Sequence, residues 1–136
     1  MTLEQQRASI AFKHVSEVHN ASKDEQKRYA TVVYQLISLI RDAGLVQAAE
    51  FIAGLSNKQK QVQGAKLVTH LAAQLKRVSN ELPQNDDGKA RAYLRKVGLQ
   101  EYMHLSHEAV ASLAWYRRFV QSILKIDRAD VQGDEE

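Results

Sequence analysis

The carboxylates and histidines of this 136-residue chain approach two metal motifs and complete neither. His107-Glu108-Ala109-Val110-Ala111 opens like HExxH, in which two histidines one helical turn apart clamp zinc while the glutamate activates water. Ala111 stands where the second ligand is needed, so zinc has no clamp. Glu101-Tyr102-Met103-His104 is a single ExxH. A di-iron bundle needs two such pairs and two further glutamates on facing helices, and Glu50 and Glu81 are not in matched positions. The histidines at 14, 19, 70, 104 and 107 are scattered on helix flanks and read as surface or capping residues. There is no phosphate-cradling glycine loop, dinucleotide fingerprint or nucleophile elbow. With no cysteine, thiol catalysis, thiolate metal sites and disulfides are excluded. These residues predict no catalytic site, no metal and no cofactor.

Cations are the better lead. Leu105 to Leu124 reads as one helix carrying the single tryptophan, Trp115, beside Arg117 and Arg118. At 100° per residue, Arg117, Arg118, Gln121 and Lys125 fall within an arc of roughly 100°, and Leu113, Tyr116, Val120, Ile123 and Leu124 fill the rest. Trp115 reads as core or as a seam against a neighbouring subunit rather than as a stacking residue. Lys89, Arg91, Arg95 and Lys96 form a second cluster with no acid among them, and Arg91 and Arg95, four apart, share a face. Lys58, Lys60 and Lys66, and then Lys76 and Arg77, mark the two ends of another helix. No base-reading module is present, so contact with a nucleic acid would run through phosphates and shape.

These cations need a scaffold, and the chain predicts helices throughout. Thr2 and Gln5 make a capping box opening a first helix, with Ala8, Ala11, Val15 and Val18 inward. Ser22 caps a second helix whose stripe Tyr29, Val32, Val33, Leu36, Ile37 and Ile40 keeps helical spacing up to the stop at Gly44. A short third helix spans Leu45 to Leu55. A long fourth helix follows Asn57 and carries Val68, Leu71, Ala72, Leu75, Val78 and Leu82 on one side before Pro83. A fifth helix runs from about Lys89 to Val97. A turn at Leu99 to His104 leads to the last helix, capped by Ser106 and stapled by Leu105 and Val110. The prediction is an all-α fold, a single compact bundle of five to seven helices over residues 1–126, with a disordered acidic tail at 127–136.

Composition agrees with a single soluble domain, 44% hydrophobic and 26% charged. The opening residues lack the pattern of a signal peptide and no stretch reaches the length of a membrane span, so a cytoplasmic protein is expected. The net charge of +3 conceals an asymmetry, because 127–136 holds five acids against one base, leaving 18 bases and 11 acids, or +7, in the body. Such a body attracts polyanions, with which the tail can compete.

Three separated blocks resemble the small subunit of the type III-B CRISPR effector, the Cmr complex. Leu3-Glu4-Gln5-Gln6-Arg7-Ala8-Ser9-Ile10-Ala11 resembles that family's opening LEQ-x-RA-x-x-A. Tyr29 or Tyr34, followed by Ile40-Arg41-Asp42-Ala43-Gly44-Leu45, resembles its tyrosine-bearing helix and IxxxGL junction, and Ala48-Ala49-Glu50-Phe51-Ile52 its small apolar helix. Leu105-Ser106, Glu108-Ala109 and Trp115 to Phe119 resemble its LTxEA…W…RF helix, with Ser106 in place of Thr. The resemblance implies a non-catalytic subunit of an RNA-guided antiviral complex. Copies would self-associate in a short filament beside the backbone subunits, and basic side chains would steady guide RNA and target RNA. Cutting would belong to the backbone subunits and second-messenger synthesis to the large subunit.

The residues expected to face RNA are Arg117, Arg118 and Lys125 first, then Lys89, Arg91, Arg95 and Lys96. Arg7, inside the matching motif, could equally pair with an acid and brace the first helix. A helical protein–protein adaptor that binds no RNA is the competing expectation.

Overall fold

A computed structural model describes residues 1–131 and contains seven helices among them: α1 (Leu3–Val18), α2 (Lys23–Ala43), α3 (Leu45–Ala53), α4 (Lys58–Lys76), α5 (Asp87–Lys96), α6 (Leu99–Ser122) and α7 (Arg128–Val131). The all-α prediction holds, with no strand among the described residues.

Local chemistry sets most boundaries. The Thr2 hydroxyl accepts the Gln5 amide at 3.1 Å while the Gln5 side chain accepts the Thr2 amide at 2.8 Å, satisfying two donors that a helix start would orphan. Ser22 and Glu25 repeat the device on α2. Gly44 ends α2 and begins α3 at φ 90°, where a Cβ would strain the backbone. Tyr102 reaches in from α6, its hydroxyl accepting the Val46 amide at 3.1 Å.

Helix α2 is the axis of the bundle. Tyr29, Ala30, Val32, Val33 and Leu36 are fully buried, and α4, α3, α6 and α7 pack around them, with α1 laid mainly along α6. Helices α3 and α4 meet at Gly64, where an added Cβ would lie 2.5 Å from Ile52 Cγ2.

Three expectations change. Helix α4 stops at Lys76, six residues short of Leu82, although Leu82 remains buried. There the Ser79 side chain turns to Tyr93 and Glu101, and the Asn80 carbonyl accepts the Lys76 ammonium. Helix α6 begins at Leu99, so the expected turn at 99–104 is helical. Gly98 supplies the N-cap, Ser106 is interior, and Val110 is exposed rather than stapled to Leu105. The third change concerns the tail. Asp127 and Asp130 accept each other's amides at 3.3 and 3.0 Å, and Val131 is only 4% exposed. Asp127–Val131 therefore belong to the packed structure, and the remainder of the expected tail, 132–136, lies outside the described residues.

Candidate nucleic-acid interface

The predicted cations fall toward opposite ends of α6. The run from Leu99 to Arg117 is about 27 Å long at 1.5 Å per residue; α5 adjoins the start of that run and Arg117 and Arg118 its finish. At the C-terminal end Leu113, Tyr116 and Val120 are buried, which forces Arg117 and Arg118 outward. Neither arginine has a carboxylate within 4 Å among the described residues. The Arg118 guanidinium lies 5.9 Å from the centre of the Trp115 ring, close enough for a cation–π contact.

Trp115 is partly buried, its indole N–H donating to Glu4 Oε1 at 2.7 Å. Phe119 packs 5.8 Å from Trp115 and edge-on to Phe12 at 5.5 Å, so these rings tie α6 to α1. Lys125 lies beyond the helix end rather than on its stripe. It adopts φ 62° and is exposed, and the chain is anchored beside it by Tyr34, whose hydroxyl donates to Ile126 O at 3.2 Å.

The α5 cluster divides. Arg91 donates to Glu50 Oε1 at 2.9 Å and lies 3.2 Å from Asp87 Oδ2, and Arg95 pairs with the other Glu50 oxygen. The face expected to meet phosphates thus turns toward α3. Lys89 and Lys96 remain exposed without an ion pair among the described residues and line a cleft of ≈510 Å³ together with Pro83, Tyr93, Val97 and the carboxylates Glu81 and Glu101.

The two near-motif carboxylates are committed elsewhere. Glu101 accepts from Tyr93 at 2.6 Å and from Ser79. Glu108 is buried and accepts from Arg7 through two bonds of 2.8 Å, from Arg77 at 2.5 Å and from Ser112 at 3.1 Å. Burial pushes the Glu108 carboxyl up, but bonds from Arg7 and Arg77 outweigh it and hold it at about 2. Of the two roles open to Arg7, bracing is the one observed. Helical spacing contains the signal, since Arg7 precedes Ala11, Val15 and Val18 at i, i+4, i+8 and i+11 on the buried stripe.

Two of the histidines are not flank residues. His14 and His70 stack with ring centres 4.0 Å apart and planes 7° from parallel. The Tyr116 hydroxyl lies 2.7 Å from His14 Nδ1 and the Tyr29 hydroxyl 2.7 Å from His70 Nδ1. Burial, then the neighbouring His14 and Lys66, bring His70 down to about 3. Burial also lowers His14, with Lys13 reinforcing and Glu17 opposing it. No group of three or more His, Cys, Asp or Glu able to hold a metal exists among the described residues. None of the helices there is long and apolar enough to cross a membrane.

The sequence profile of the CRISPR-associated protein (Cas_Cmr5) family matches residues 3–123. The chain belongs to this Cmr5 family. It is 27% identical over 116 residues to the CRISPR system Cmr subunit Cmr5 of Thermus thermophilus, a match covering 85% of this chain and 92% of that protein. The fold is similar to the crystal structure of a CRISPR-associated Cmr5 family protein, also from Thermus thermophilus. That likeness has a TM-score of 0.72 and 25% identity, covering 90% of this chain and 98% of the other. The family resemblance read from three sequence blocks is therefore borne out. The matched span includes Arg117 and Arg118 and stops before Lys125.

Proposed function

We propose that this Cmr5 family chain is a non-catalytic subunit of a type III-B CRISPR RNA-guided complex acting in the cytoplasm. Several copies stack beside the backbone subunits, and exposed cations steady the guide and target RNA. The observation that carries the RNA contact is the pair Arg117 and Arg118, pushed outward by a buried helix face and left without carboxylate partners among the described residues. A rigidly presented guanidinium suits a phosphate oxygen well. Lys125, Lys89 and Lys96 extend the contact, whereas Arg91 and Arg95 hold α5 to α3.

Docking to other subunits has its own support. Leu99, Met103 and Val110 lie along one outer face of α6 and are 73%, 61% and 56% exposed, an apolar stripe of the kind that marks protein contacts. A non-catalytic role is supported by the structural bonds that Glu101 accepts through Oε2 and Glu108 through both of its oxygens.

The test is binding to single-stranded and duplex RNA across a salt series, alone and in the assembled complex, together with native co-purification. Affinity that falls steeply with salt and drops on Arg117→Glu with Arg118→Glu is expected, as is recovery of small RNA with a backbone and a large subunit. Weak binding by the isolated chain fits a subunit whose avidity comes from stacking. An assembled complex in which this chain never contacts RNA would leave the adaptor reading.

A further inference from the structure

Helices α2 and α4 diverge where α4 begins, and the gap is a polar cavity of ≈290 Å³. Lys27, Arg28, Asn57, Gln59 and Lys60 line it, with Asp24 as the one carboxylate on its wall. Three features suit this wall to an anion. The first is backbone. The Asn57 side chain caps only the Lys60 amide, at 3.0 Å, so the Lys58 and Gln59 amides of the first turn have no intrahelical acceptor. The helix dipole places partial positive charge at the same point.

The second feature is Lys60. It is only 8% exposed, yet its side chain makes no hydrogen bond or ion pair among the described residues. With most of its stem packed away, Lys60 presents its ammonium to the cavity it lines, where an anion would meet an unpaired positive charge. The third is Arg28, partly buried on the opposite wall and likewise without a hydrogen bond or ion pair among the described residues. A second cavity, lined by Lys23, Lys27, Lys125 and Asp130, adjoins the first, and Lys27 lines both. Lys27 thus links the two cavities, each of which also carries one carboxylate, Asp24 in the first and Asp130 in the second.

We infer that the α2–α4 cavity is a phosphate-binding site, in which Lys60, Arg28 and the first amides of α4 hold the oxygens of one phosphate group. The site does not rest on Arg117 and Arg118: abolishing binding at one in an experiment leaves the other standing. The shared chemistry is a tetrahedral phosphate, whether an internal phosphodiester of RNA or a free phosphate.

The test is amide chemical-shift titration of the full chain with inorganic phosphate, and separately with an RNA hexamer carrying a 5′-hydroxyl and so only phosphodiesters, against chloride at matched ionic strength. Saturable shifts centred on Lys58, Gln59 and Lys60 are expected, with affinity falling at least about tenfold in Lys60→Met, as for removal of one charged hydrogen-bond partner. Arg28→Gln, at a less buried position, gives a second reading if Lys60→Met unfolds. Saturation by the hexamer assigns the site to RNA backbone, and saturation by inorganic phosphate alone assigns it to free phosphate. Shifts that track chloride, or an affinity unchanged in a folded Lys60→Met and in Arg28→Gln, would overturn the inference.

Discussion

Arg7 and Glu108, 101 residues apart in sequence, form a two-pronged ion pair, Nε to Oε2 and Nη2 to Oε1, each at 2.8 Å. Arg77, the C-cap of α4, reaches the same carboxylate, so one buried glutamate ties α1 and the end of α4 to α6. Removing it would leave Arg7 only Glu4, at 2.6 Å, and Arg77 only the Gln74 side chain, at 2.9 Å, and breaking a buried pair from one side costs about 3–5 kcal/mol. Glu108→Ala should therefore lower the thermal midpoint by roughly 10 °C or more in a calorimetric scan. A shift within about 2 °C would show that the network contributes little.

The stacked histidines predict a separate acid sensitivity. His70 is held near 3 against an ordinary 6.5, so the unfolded chain binds the proton more readily than the folded one. Stability is complete above pH 6.5 and falls as pH drops toward 3, by about 1.4 kcal/mol per unit. Glu108 acts with the same sign, but only between 4.5 and about 2. Between pH 6.5 and 4.5 the loss thus belongs to the histidines. Denaturant midpoints measured at half-unit steps should slope through that interval in the native chain and flatten in His70→Asn. An equal slope in both would remove His70 as the cause.

Gly64 predicts an inverted helix propensity. Alanine normally stabilises an interior helical position over glycine by about 1 kcal/mol. Here the new methyl would meet Ile52 Cγ2 at 2.5 Å and the Ile52 carbonyl oxygen at 3.2 Å. Gly64→Ala should destabilise by about 1–3 kcal/mol in urea unfolding, as overpacked cores do. Paired with Ile52→Ala, it should cost less than the sum of the two single changes. A stabilised Gly64→Ala would mean that α3 moves away without penalty.

How much of this was legible depended on whether the signal was local. Thr2 with Gln5, Ser22 and Gly44 act on their own backbone and mark their boundaries plainly. Ser106 carried an equally good cap signal and was interior, because Gly98 caps α6 and Leu99 to His104 are competent helix formers. Val78 and Leu82 kept the apolar spacing of α4 without its helix, since Ser79 and Asn80 bond elsewhere. The site was less legible than the fold, because a cation's availability depends on distant partners. Arg91 and Arg95 look like the exposed face of a basic helix until Glu50, 41 and 45 residues away, is seen beside them. Lys60 shows the converse, a lysine among several whose burial appears only once α2 and α4 are packed.

That division of cations gives the most discriminating prediction. Arg117→Gln with Arg118→Gln removes two exposed charges that lack carboxylate partners, together with the Arg118 contact on the Trp115 ring, so stability should change by no more than about 1 kcal/mol. RNA affinity should fall, and the slope of log affinity against log salt should become shallower by up to about 0.7 for each phosphate no longer neutralised on a single strand. Arg91→Gln with Arg95→Gln should do the reverse. It leaves Glu50 without either partner and loosens α5 from α3, lowering the thermal midpoint, while the salt slope stays near that of the native chain. Fluorescence anisotropy with one labelled single-stranded RNA, run beside melting curves for both double variants, reads the two effects independently. Equal losses of RNA affinity from the two pairs would return Arg91 and Arg95 to the interface and show that their bonds to Glu50 give way to phosphate.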